Sequence, residues 1–378
     1  MNRIPLLIPE LPSVAELQPY LERIDAARWY SNFGPLCREF EGALAGMFIA
    51  KNAQPVRVTT VSSCTLGLEL ALRALDLAPG SQVLLPALTF VATATAVVRA
   101  GLVPVAADVD PQSWLLTPEI ARAACARYPL AAILPVTTFG CPHEMAGWDR
   151  FSAECGLPVV IDAAGAFGNQ WQTGRATLVF SLHATKSLAA GEGGVVVSRD
   201  EKLVARVRQL SNFGINLDPA AALPVGQVDV PGTNAKLSEY HAAVGLASLA
   251  KWPLLAGKAR TLEERYRGLI DGVAGLGAVW QQRPAATLRT LLCIRVRSAA
   301  LRAAIEADCA GAAIETRRWY LPLINQHKGF AGIETCGALP VAAALAADLI
   351  GLPFHGRLEA ADLDRITGVL AQAARQQA

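Results

Sequence analysis

The feature that most constrains the fold is a regular alternation between residues 55 and 200, where short apolar runs are separated by stretches of helical character. The runs are apolar without interruption, which is typical of parallel strands whose two faces are both covered by helices. Strands are predicted at Val56–Val61, Gln82–Leu85, Val103–Ala107, Ala131–Pro135, Pro158–Ile161, Leu178–Leu182 and Gly194–Ser198. Helices are predicted at Leu66–Leu75, Phe90–Arg99, Pro118–Arg127 and Met145–Cys155. The pattern predicts an α/β protein with a mostly parallel central sheet, in which ligands bind outside the carboxyl ends of the strands.

The pattern changes after residue 200. Leu217–Thr233 contains three prolines and two glycines, and we predict a long loop there. Later elements are predicted as helices Lys236–Leu249 and Pro253–Leu269, strand Leu288–Val296, and helices Ala299–Cys309, Val341–Ile350 and Ala360–Ala374. We therefore expect a large domain over residues 1–250, including the N-terminal segment, and a smaller C-terminal α/β domain over residues 251–378.

Composition and charge exclude several classes of protein. Hydrophobic residues make up 52% of the chain and charged residues 17%, which excludes a mainly disordered protein. The 34 Lys and Arg residues nearly balance the 32 Asp and Glu residues, so a net charge of +2 provides no field for binding nucleic acid or an anionic membrane. Pro79, Gly80 and Pro86 interrupt the longest uncharged stretch, Leu77–Val98, which argues against a membrane span. Since Met1–Val14 does not resemble a signal peptide, we expect a cytoplasmic protein.

The eight cysteines argue against a disulfide framework and against a metal centre. The nearest two in sequence, Cys141 and Cys155, are 14 positions apart, and no CxxC motif is present. Eight cysteines in 378 residues are too sparse for a disulfide-rich secreted domain. We therefore predict buried free thiols and no metal ion.

Two charged residues come shortly after predicted strands. Lys186 ends the segment Ser181-Leu182-His183-Ala184-Thr185-Lys186, which leads into Gly191-Glu192-Gly193-Gly194. Burial lowers the pKa of an amine and makes it a nucleophile toward carbonyls, although a lone lysine is more often an exposed surface residue. Asp162 stands at the carboxyl end of a β-branched strand, where a single acid is more often a helix cap or a turn residue.

Two further segments also follow strands. Ser62-Ser63-Cys64-Thr65 leads into a helix whose first backbone N–H groups suit a phosphate, with a plain N-cap as the alternative. Phe90 follows the strand Gln82–Leu85, with an ordinary core phenylalanine as the alternative. Taken together, an amine, an acid, a phosphate cup and a stacking aromatic ring are the groups that pyridoxal 5'-phosphate (PLP) requires. The acid keeps the pyridine nitrogen protonated, so that the ring accepts electrons, while the lysine holds the aldehyde and moves the proton.

The order and spacing of these motifs resemble those of the DegT–DnrJ–StrS family of fold-type-I aminotransferases, which aminate keto-sugars carried on nucleotides. The lysine segment with its trailing Gly-Glu-Gly-Gly is the most specific match. The other matching blocks are Asn32-Phe33-Gly34-Pro35, Glu39-Phe40-Glu41, Ser62–Thr65, Pro86–Ala92, Asp108-Val109-Asp110, Val160–Gly168, Gly232-Thr233-Asn234, Ala242-Ala243 and Leu352-Pro353. The resemblance spans nearly the whole chain and implies a fold-type-I PLP transferase.

The resemblance also implies roles for individual residues. Lys186 would form the aldimine with PLP and act as general acid and base, Asp162 would pair with the pyridine nitrogen, and Phe90 would cover one face of the ring. The implied phosphate-binding residues are Ser63, Cys64 through its backbone N–H, Thr65 and Ser181. His183 matches a frequent family histidine near the cofactor, with simple packing as the alternative. Asn234 occupies the position from which a neighbouring subunit reaches the phosphate, which implies a homodimer with composite active sites.

Three segments depart from the family pattern. Asp162-Ala163-Ala164-Gly165 stands where the family has Asp-Ala-Ala-Gln, whose glutamine lies against the cofactor ring near its hydroxyl. Asn212-Phe213-Gly214 replaces Asn-His-Gly, and Thr316–Pro322 is more crowded and aromatic than the family's substrate loop. The polar residues of that last segment that we single out are Arg317, Arg318 and Tyr320. They are predicted to hold a carboxylate or the phosphates of the sugar carrier, with a solvated basic loop as the alternative.

The expected function is a ping-pong aminotransferase that moves an amino group from L-glutamate through the Lys186 aldimine to a nucleotide-linked keto-sugar. One alternative is another PLP reaction on the same fold, dehydration or C–C cleavage, although sugar dehydratases of this family carry histidine where Lys186 stands. The other alternative is a regulatory protein that binds PLP without turnover. The presence of both Lys186 and Asp162 argues against that alternative.

Overall fold

The computed structural model describes residues 2–377 and contains the predicted alternation of strands and helices. The strands are β1 (Arg57–Val61), β2 (Gln82–Pro86), β3 (Val103–Ala107), β4 (Leu130–Ile133), β5 (Val160–Asp162), β6 (Thr177–Ser181), β7 (Gly194–Ser198), β8 (Val279–Trp280), β9 (Leu292–Arg295), β10 (Glu334–Thr335) and β11 (Leu349–Leu352). The helices are α1 (Val14–Ala27), α2 (Pro35–Asn52), α3 (Cys64–Arg73), α4 (Val91–Arg99), α5 (Pro118–Cys125), α6 (Met145–Cys155), α7 (Glu201–Ser211), α8 (Glu239–Asp271), α9 (Ala299–Gly311), α10 (Pro340–Asp348) and α11 (Ala360–Gln376). The α/β class is confirmed.

The central sheet is mostly parallel, as predicted. Its strands follow the order β1-β7-β6-β5 in one half and β4-β2-β3-β10 in the other. Parallel bridges between Ile133 and Val159 and between Val136 and Asp162 join β4 to β5. β7 runs antiparallel to its neighbours β1 and β6. The connection between β6 and β7, residues 182–193, forms turns rather than the crossover helix that a parallel pair requires.

The C-terminal part of the chain forms a second, smaller layer, in which the antiparallel sheet β11-β9-β8 packs with α9 and α11. Its core contains Ile294, Ile305 and Ile366, each fully buried. One element differs from the prediction, because the helix expected over Val341–Ile350 ends at Asp348. Residues 349–352 are buried on both faces and pair with β9, and this pairing makes them a strand.

Helix α8 connects the two layers. It is continuous over 33 residues, whereas two helices separated near Pro253 were predicted. Pro253 lies at an exposed position of this helix, and the helix continues past it without a break. The predicted domain division at residues 250 and 251 falls inside this helix and stays a prediction. No helix within residues 2–377 is both long and apolar enough to cross a membrane.

Helix α2 precedes the region of alternating strands and helices, and a different sequence pattern predicts it. Leu36, Phe40, Leu44 and Phe48 recur at every fourth position, and all four are buried in the core between α2, α8 and the sheet. Because this spacing places them on one face of a helix, the period itself predicts the element.

We expect Glu239 to stabilise the junction between α8 and α2. Its buried carboxylate accepts hydrogen bonds from the backbone N–H groups of Leu36 and Cys37, both at 2.8 Å. The change Glu239→Ala leaves two buried donors unpaired, which should lower the free energy of unfolding by about 2 to 4 kcal/mol. Urea denaturation measures the effect. The exposed Glu264 of the same helix is the control, and Glu264→Ala should change the value by less than about 0.5 kcal/mol. Equal effects of the two changes would contradict the assignment.

Candidate active site

A cavity of about 370 Å³ opens at the carboxyl ends of β4, β5 and β6. This is the edge of the sheet at which α/β proteins bind their ligands. The predicted site residues that line it are Ser63, Cys64, Thr65, Phe90, Asp162, Ser181, His183, Lys186, Arg317 and Tyr320. Two other predicted residues, Asn234 and Arg318, lie outside this cavity.

The N-terminus of α3 forms one end of the cavity. Ser63 caps the helix, its Oγ accepting the backbone N–H of Leu66 at 3.2 Å. A Cβ added to Gly194 would lie 2.7 Å from the backbone nitrogen of Cys64, so only glycine allows β7 to approach the helix start this closely. The first N–H groups of α3 and the hydroxyl of Thr65 thus border a space that suits a phosphate.

The side chain of Cys64 is directed into the core. Its Sγ lies 3.7 Å from the backbone oxygen of Val179, and burial raises the pKa of the thiol well above its usual value. The thiol of Cys64 is therefore directed away from the cavity, and the binding of a phosphate through its backbone N–H stays a prediction. Ser181 lies beside it at the end of β6, where its Oγ accepts the backbone N–H of His183 at 3.3 Å.

Asp162 is a buried acid at the end of β5, with 4% of its surface exposed. Its carboxylate accepts hydrogen bonds from Thr93 Oγ1 at 2.8 Å and from the backbone N–H of Ala164 at 3.1 Å. Thr93 is in turn hydrogen-bonded to Thr89 at 2.7 Å. Burial raises the pKa of Asp162, against the opposing effects of the two hydrogen bonds and the charge of Lys186. A cation bound next to this carboxylate, such as a pyridinium nitrogen, would offset the cost of burying its charge.

Lys186 lies in the turns that follow β6. Its backbone N–H donates to the oxygen of His183 at 2.9 Å, and its half-buried side chain lines the same cavity as Asp162. It also lines a second cavity of about 150 Å³, together with Thr185 and Thr290. Lys186 therefore borders both cavities.

His183 lies at the rim of the cavity. Its Nδ1 is 2.9 Å from Thr185 Oγ1, and its Nε2 is 3.6 Å from Glu192 Oε1. Nearly half of the side chain, 45%, is exposed. These contacts place the imidazole beside the lysine turn rather than in the core.

Aromatic side chains form the other wall. The rings of Phe90 and Tyr320 lie 6.1 Å apart, and Tyr320 stacks on Phe139 at 5.6 Å. Neither Phe139 nor the buried hydrogen-bond partner Thr93 was identified from the sequence. Phe139 comes after β4. The rule that ligand-binding residues follow the carboxyl ends of strands, which identified Lys186 and Asp162, therefore also indicates Phe139.

The two adjacent arginines diverge. Arg317 lines the cavity, with its guanidinium 4.9 Å from the ring of Trp319. Arg318 instead donates to the backbone oxygen of Ala346 at 3.1 Å and lies 3.8 Å from Glu306. In this structure Arg318 therefore faces away from the cavity, and its predicted contact with substrate stays a prediction. The alternation of side chains along an extended segment separates neighbours that the sequence places together.

Gly165 lines the cavity, and its surroundings leave room for a Cβ atom. A Cβ built on it would lie 3.5 Å from the nitrogen of Gly140 and 3.8 Å from Thr290 Oγ1, which are ordinary contacts. The Thr290 hydroxyl donates to the backbone oxygen of Gly165 at 3.0 Å. A Cβ atom fits here without strain, so the backbone does not require this glycine.

Asn234 is exposed and lies in the segment that precedes α8. Its Oδ1 accepts a hydrogen bond from Lys236 Nζ at 2.7 Å. The neighbouring Phe213 is 48% exposed, and Lys236 lies 4.6 Å from the centre of its ring. The role of Asn234 in a second subunit stays a prediction.

The residues present fit PLP. The helix start with its glycine-supported backbone suits the phosphate, the buried Asp162 suits the pyridinium nitrogen, and Phe90 offers a ring face at the cavity wall. Lys186 is the amine that borders the same space. The fold and this set of groups define the class of PLP-dependent aminotransferases.

The chain belongs to the DegT/DnrJ/EryC1/StrS aminotransferase family, whose model matches residues 13–371. An Escherichia coli dTDP-4-amino-4,6-dideoxy-D-glucose transaminase is 32% identical over 280 residues, which cover 72% of this chain and 71% of that enzyme. A Bacillus cereus structure described as a PLP-dependent aminotransferase is 27% identical, with a TM-score of 0.89 over 98% of this chain and 100% of the other. The structure of DesI, determined in the presence of its TDP-sugar product, is 30% identical, with a TM-score of 0.87 over 100% of this chain and 94% of the other. The predicted family, fold type and cofactor are confirmed.

Because the carboxylate of Asp162 is buried, we expect the stability of the cofactor-free protein to depend on pH. The pKa of Asp162 is higher in the folded chain than in the unfolded chain, so the cofactor-free protein loses stability as the pH rises from the unfolded pKa to the folded one. Asp162→Asn removes this loss, and the hydroxyl of Thr93 can reverse to accept from the amide.

We expect the cofactor-free Asp162→Asn variant to be more stable than the wild type near neutral pH, with a smaller advantage near pH 4. Urea denaturation at the two pH values measures the difference. The same variant should bind PLP about a hundredfold more weakly, because the pyridinium loses its anionic partner. An advantage that grew toward acid pH would contradict the assigned pKa direction.

Proposed function

We propose that this protein is a sugar aminotransferase that moves an amino group from L-glutamate to a keto-sugar carried on a nucleotide. The observation that carries the proposal is that Lys186, Asp162 and the start of α3 border one cavity. When PLP is bound, it stabilises the negative charge that develops on the carbon losing its proton. The protein residues bind the cofactor, orient it and move the proton.

Each group has a defined task in the proposal. Lys186 would hold the cofactor through its side-chain amine and, once the amino donor has displaced it, would move the proton between the α carbon of the substrate and the cofactor carbon that receives the amino nitrogen. Asp162 keeps the pyridine nitrogen protonated, and the hydrogen bonds from Thr93 and Ala164 fix its carboxylate in place. Phe90 limits the movement of the ring from one side.

The acceptor is proposed from the relatives and from the cavity rim. The E. coli relative is named for a dTDP-linked amino sugar, and DesI was determined with a TDP-sugar product. In this chain Arg317 lines the rim and forms no ion pair with any described carboxylate. A free guanidinium at this place suits a diphosphate or the carboxylate of the amino donor.

Gly165 favours a second candidate, another PLP reaction on the same fold. The groups around the ring decide which bond breaks, and this position lacks the side chain that the family usually carries there. A binding protein without turnover has no need for the buried acid next to an amine, which argues against a regulator.

The surface near Asn234 supports a homodimer. Several large apolar side chains are exposed around this segment and at the start of α8. They are Trp29, Tyr30, Phe213, Val225, Val228 and Tyr240. Exposed apolar residues at this density are typical of protein interfaces. We propose that a second copy of the chain covers them and places its Asn234 next to the phosphate site.

Lys186→Ala should abolish the visible absorbance of the PLP Schiff base and reduce turnover by at least about a thousandfold. Lys202, an exposed lysine of α7, is the control, and Lys202→Ala should leave both unchanged. Adding L-glutamate to the wild type should convert the absorbance to that of pyridoxamine phosphate. A Schiff base without this conversion would favour the second candidate, and full turnover of Lys186→Ala would refute the assigned role.

A composite active site predicts complementation between subunits. Asn234→Asp should weaken PLP binding by roughly tenfold, because its charge opposes the phosphate of the neighbouring site. Lys236, which bonds to this side chain, keeps the local structure in place.

Mixing Asn234→Asp with Lys186→Ala at limiting PLP should restore roughly a quarter of the wild-type activity, because mixed dimers contain one intact site. Activity of the mixture is compared with each variant alone, and dimer mass is measured by sedimentation. A mixture no more active than the Asn234→Asp protein would contradict the composite site.

A further inference from the structure

The ring of Tyr320 is held in one place at the cavity wall. It stacks on Phe139 with the ring planes 15° apart, and it packs against Phe90 and Trp319. These contacts fix the direction in which the phenol hydroxyl points. Tyr320 therefore differs from a flexible residue that folds over a substrate.

Most hydroxyl groups that line the cavity are already hydrogen-bonded to other protein groups. Those with such partners are Ser63, Thr89, Thr137, Ser181, Thr185 and Thr290. Among the cavity-lining residues within 2–377, the hydroxyls of Thr65 and Tyr320 have no protein partner. Both residues are only partly buried, and neither hydroxyl is among the described buried polar atoms that lack a partner, so both hydroxyls are accessible to a ligand in the cavity.

The order of the strands places these two hydroxyls on opposite sides of Asp162. Thr65 belongs to α3, whose start lies against β7 and the end of β6. β5, which ends in Asp162, comes next, and Val136 after β4 forms a bridge to Asp162 on its far side. Tyr320 stacks on Phe139, which comes shortly after Val136 in the chain. The phenol is thus on the flank of Asp162 opposite the phosphate end.

The positions of the substituents on the PLP ring indicate which of its groups lies on that flank of Asp162. When the pyridine nitrogen faces Asp162 and the phosphate arm extends to α3, the ring hydroxyl lies on the side opposite the arm. We infer that Tyr320 donates a hydrogen bond to this ring oxygen. The inference rests on the proposed function of Lys186 and Asp162, and it moves Tyr320 from the predicted substrate contacts to the cofactor contacts.

Two observations are consistent with this role. The pKa of Tyr320 is raised by burial and further by the nearby Cys293 and Asp162, so the phenol keeps its proton and acts as a donor. Gly165 has no side chain, and the nearest hydroxyl to it, that of Thr290, is already bonded to a backbone oxygen. Tyr320 thus supplies the donor on a side where position 165 offers none.

This hydrogen bond has a measurable consequence. The ring oxygen carries more negative charge when the Schiff-base nitrogen has lost its proton, because it then shares no proton with that nitrogen. A donated hydrogen bond therefore stabilises the unprotonated form and lowers the pKa of the Schiff base. Removing the hydroxyl should raise that pKa.

The test is the variant Tyr320→Phe, which keeps the stacked ring and removes only the hydroxyl. We expect the pKa of the Schiff base, titrated by visible absorbance, to rise by about one unit or more. Tyr266 is the matched control, because its phenol is buried outside the cavity and also lacks a partner, so Tyr266→Phe should leave the titration unchanged. An unchanged pKa in Tyr320→Phe would overturn this inference alone. A wild type that forms no Schiff base would overturn the proposed function together with it.

Discussion

The organisation of the site depends on the burial of one carboxylate. Asp162 ends β5 in the middle of the sheet, where burial disfavours its negative charge, while two hydrogen bonds and the nearby Lys186 partly offset this effect. Such a group is costly in a protein without ligand and favourable once a cation lies against it. The position of Asp162 thus links folding to cofactor binding. Burial of the carboxylate destabilises the cofactor-free protein, and a bound pyridinium would offset that destabilisation.

The remaining groups are arranged by strand order around this acid. On one side Gly194 allows the start of α3 to approach the sheet, so that backbone N–H groups border the phosphate end of the cavity. On the other side Phe139 and Tyr320 form a stacked wall. The smaller C-terminal layer also contributes to the cavity. The segment that contains Tyr320 is attached to β11 by an antiparallel bridge between Arg317 and Gly351. Both layers therefore contribute to one cavity, and α8 connects them as a continuous helix.

The parts of the site that follow strands are those that sequence reasoning can find. Asp162 stands at the end of an apolar run and Lys186 comes shortly after another, and strands of a mostly parallel sheet bring such positions to one edge. Other parts depend on contacts between distant segments. The buried donor Thr93 is an ordinary helical threonine in the sequence, and Arg318 is indistinguishable from Arg317 until the extended segment turns it toward Glu306. The chain likewise continues as a helix past Pro253, at an exposed position of α8.

The sequence by itself determined the α/β class, the mostly parallel sheet, the family and the cofactor, because local hydrophobic patterns and motif order are properties of contiguous segments. The tertiary structure decided which of the candidate side chains share a cavity, which hydroxyls within it have no protein partner, and which arginine faces it. Burial and hydrogen-bond partners arise only when segments far apart in the chain pack together. For that reason no single stretch of sequence specifies the burial and the hydrogen bonds that set the pKa and the reactivity of each group.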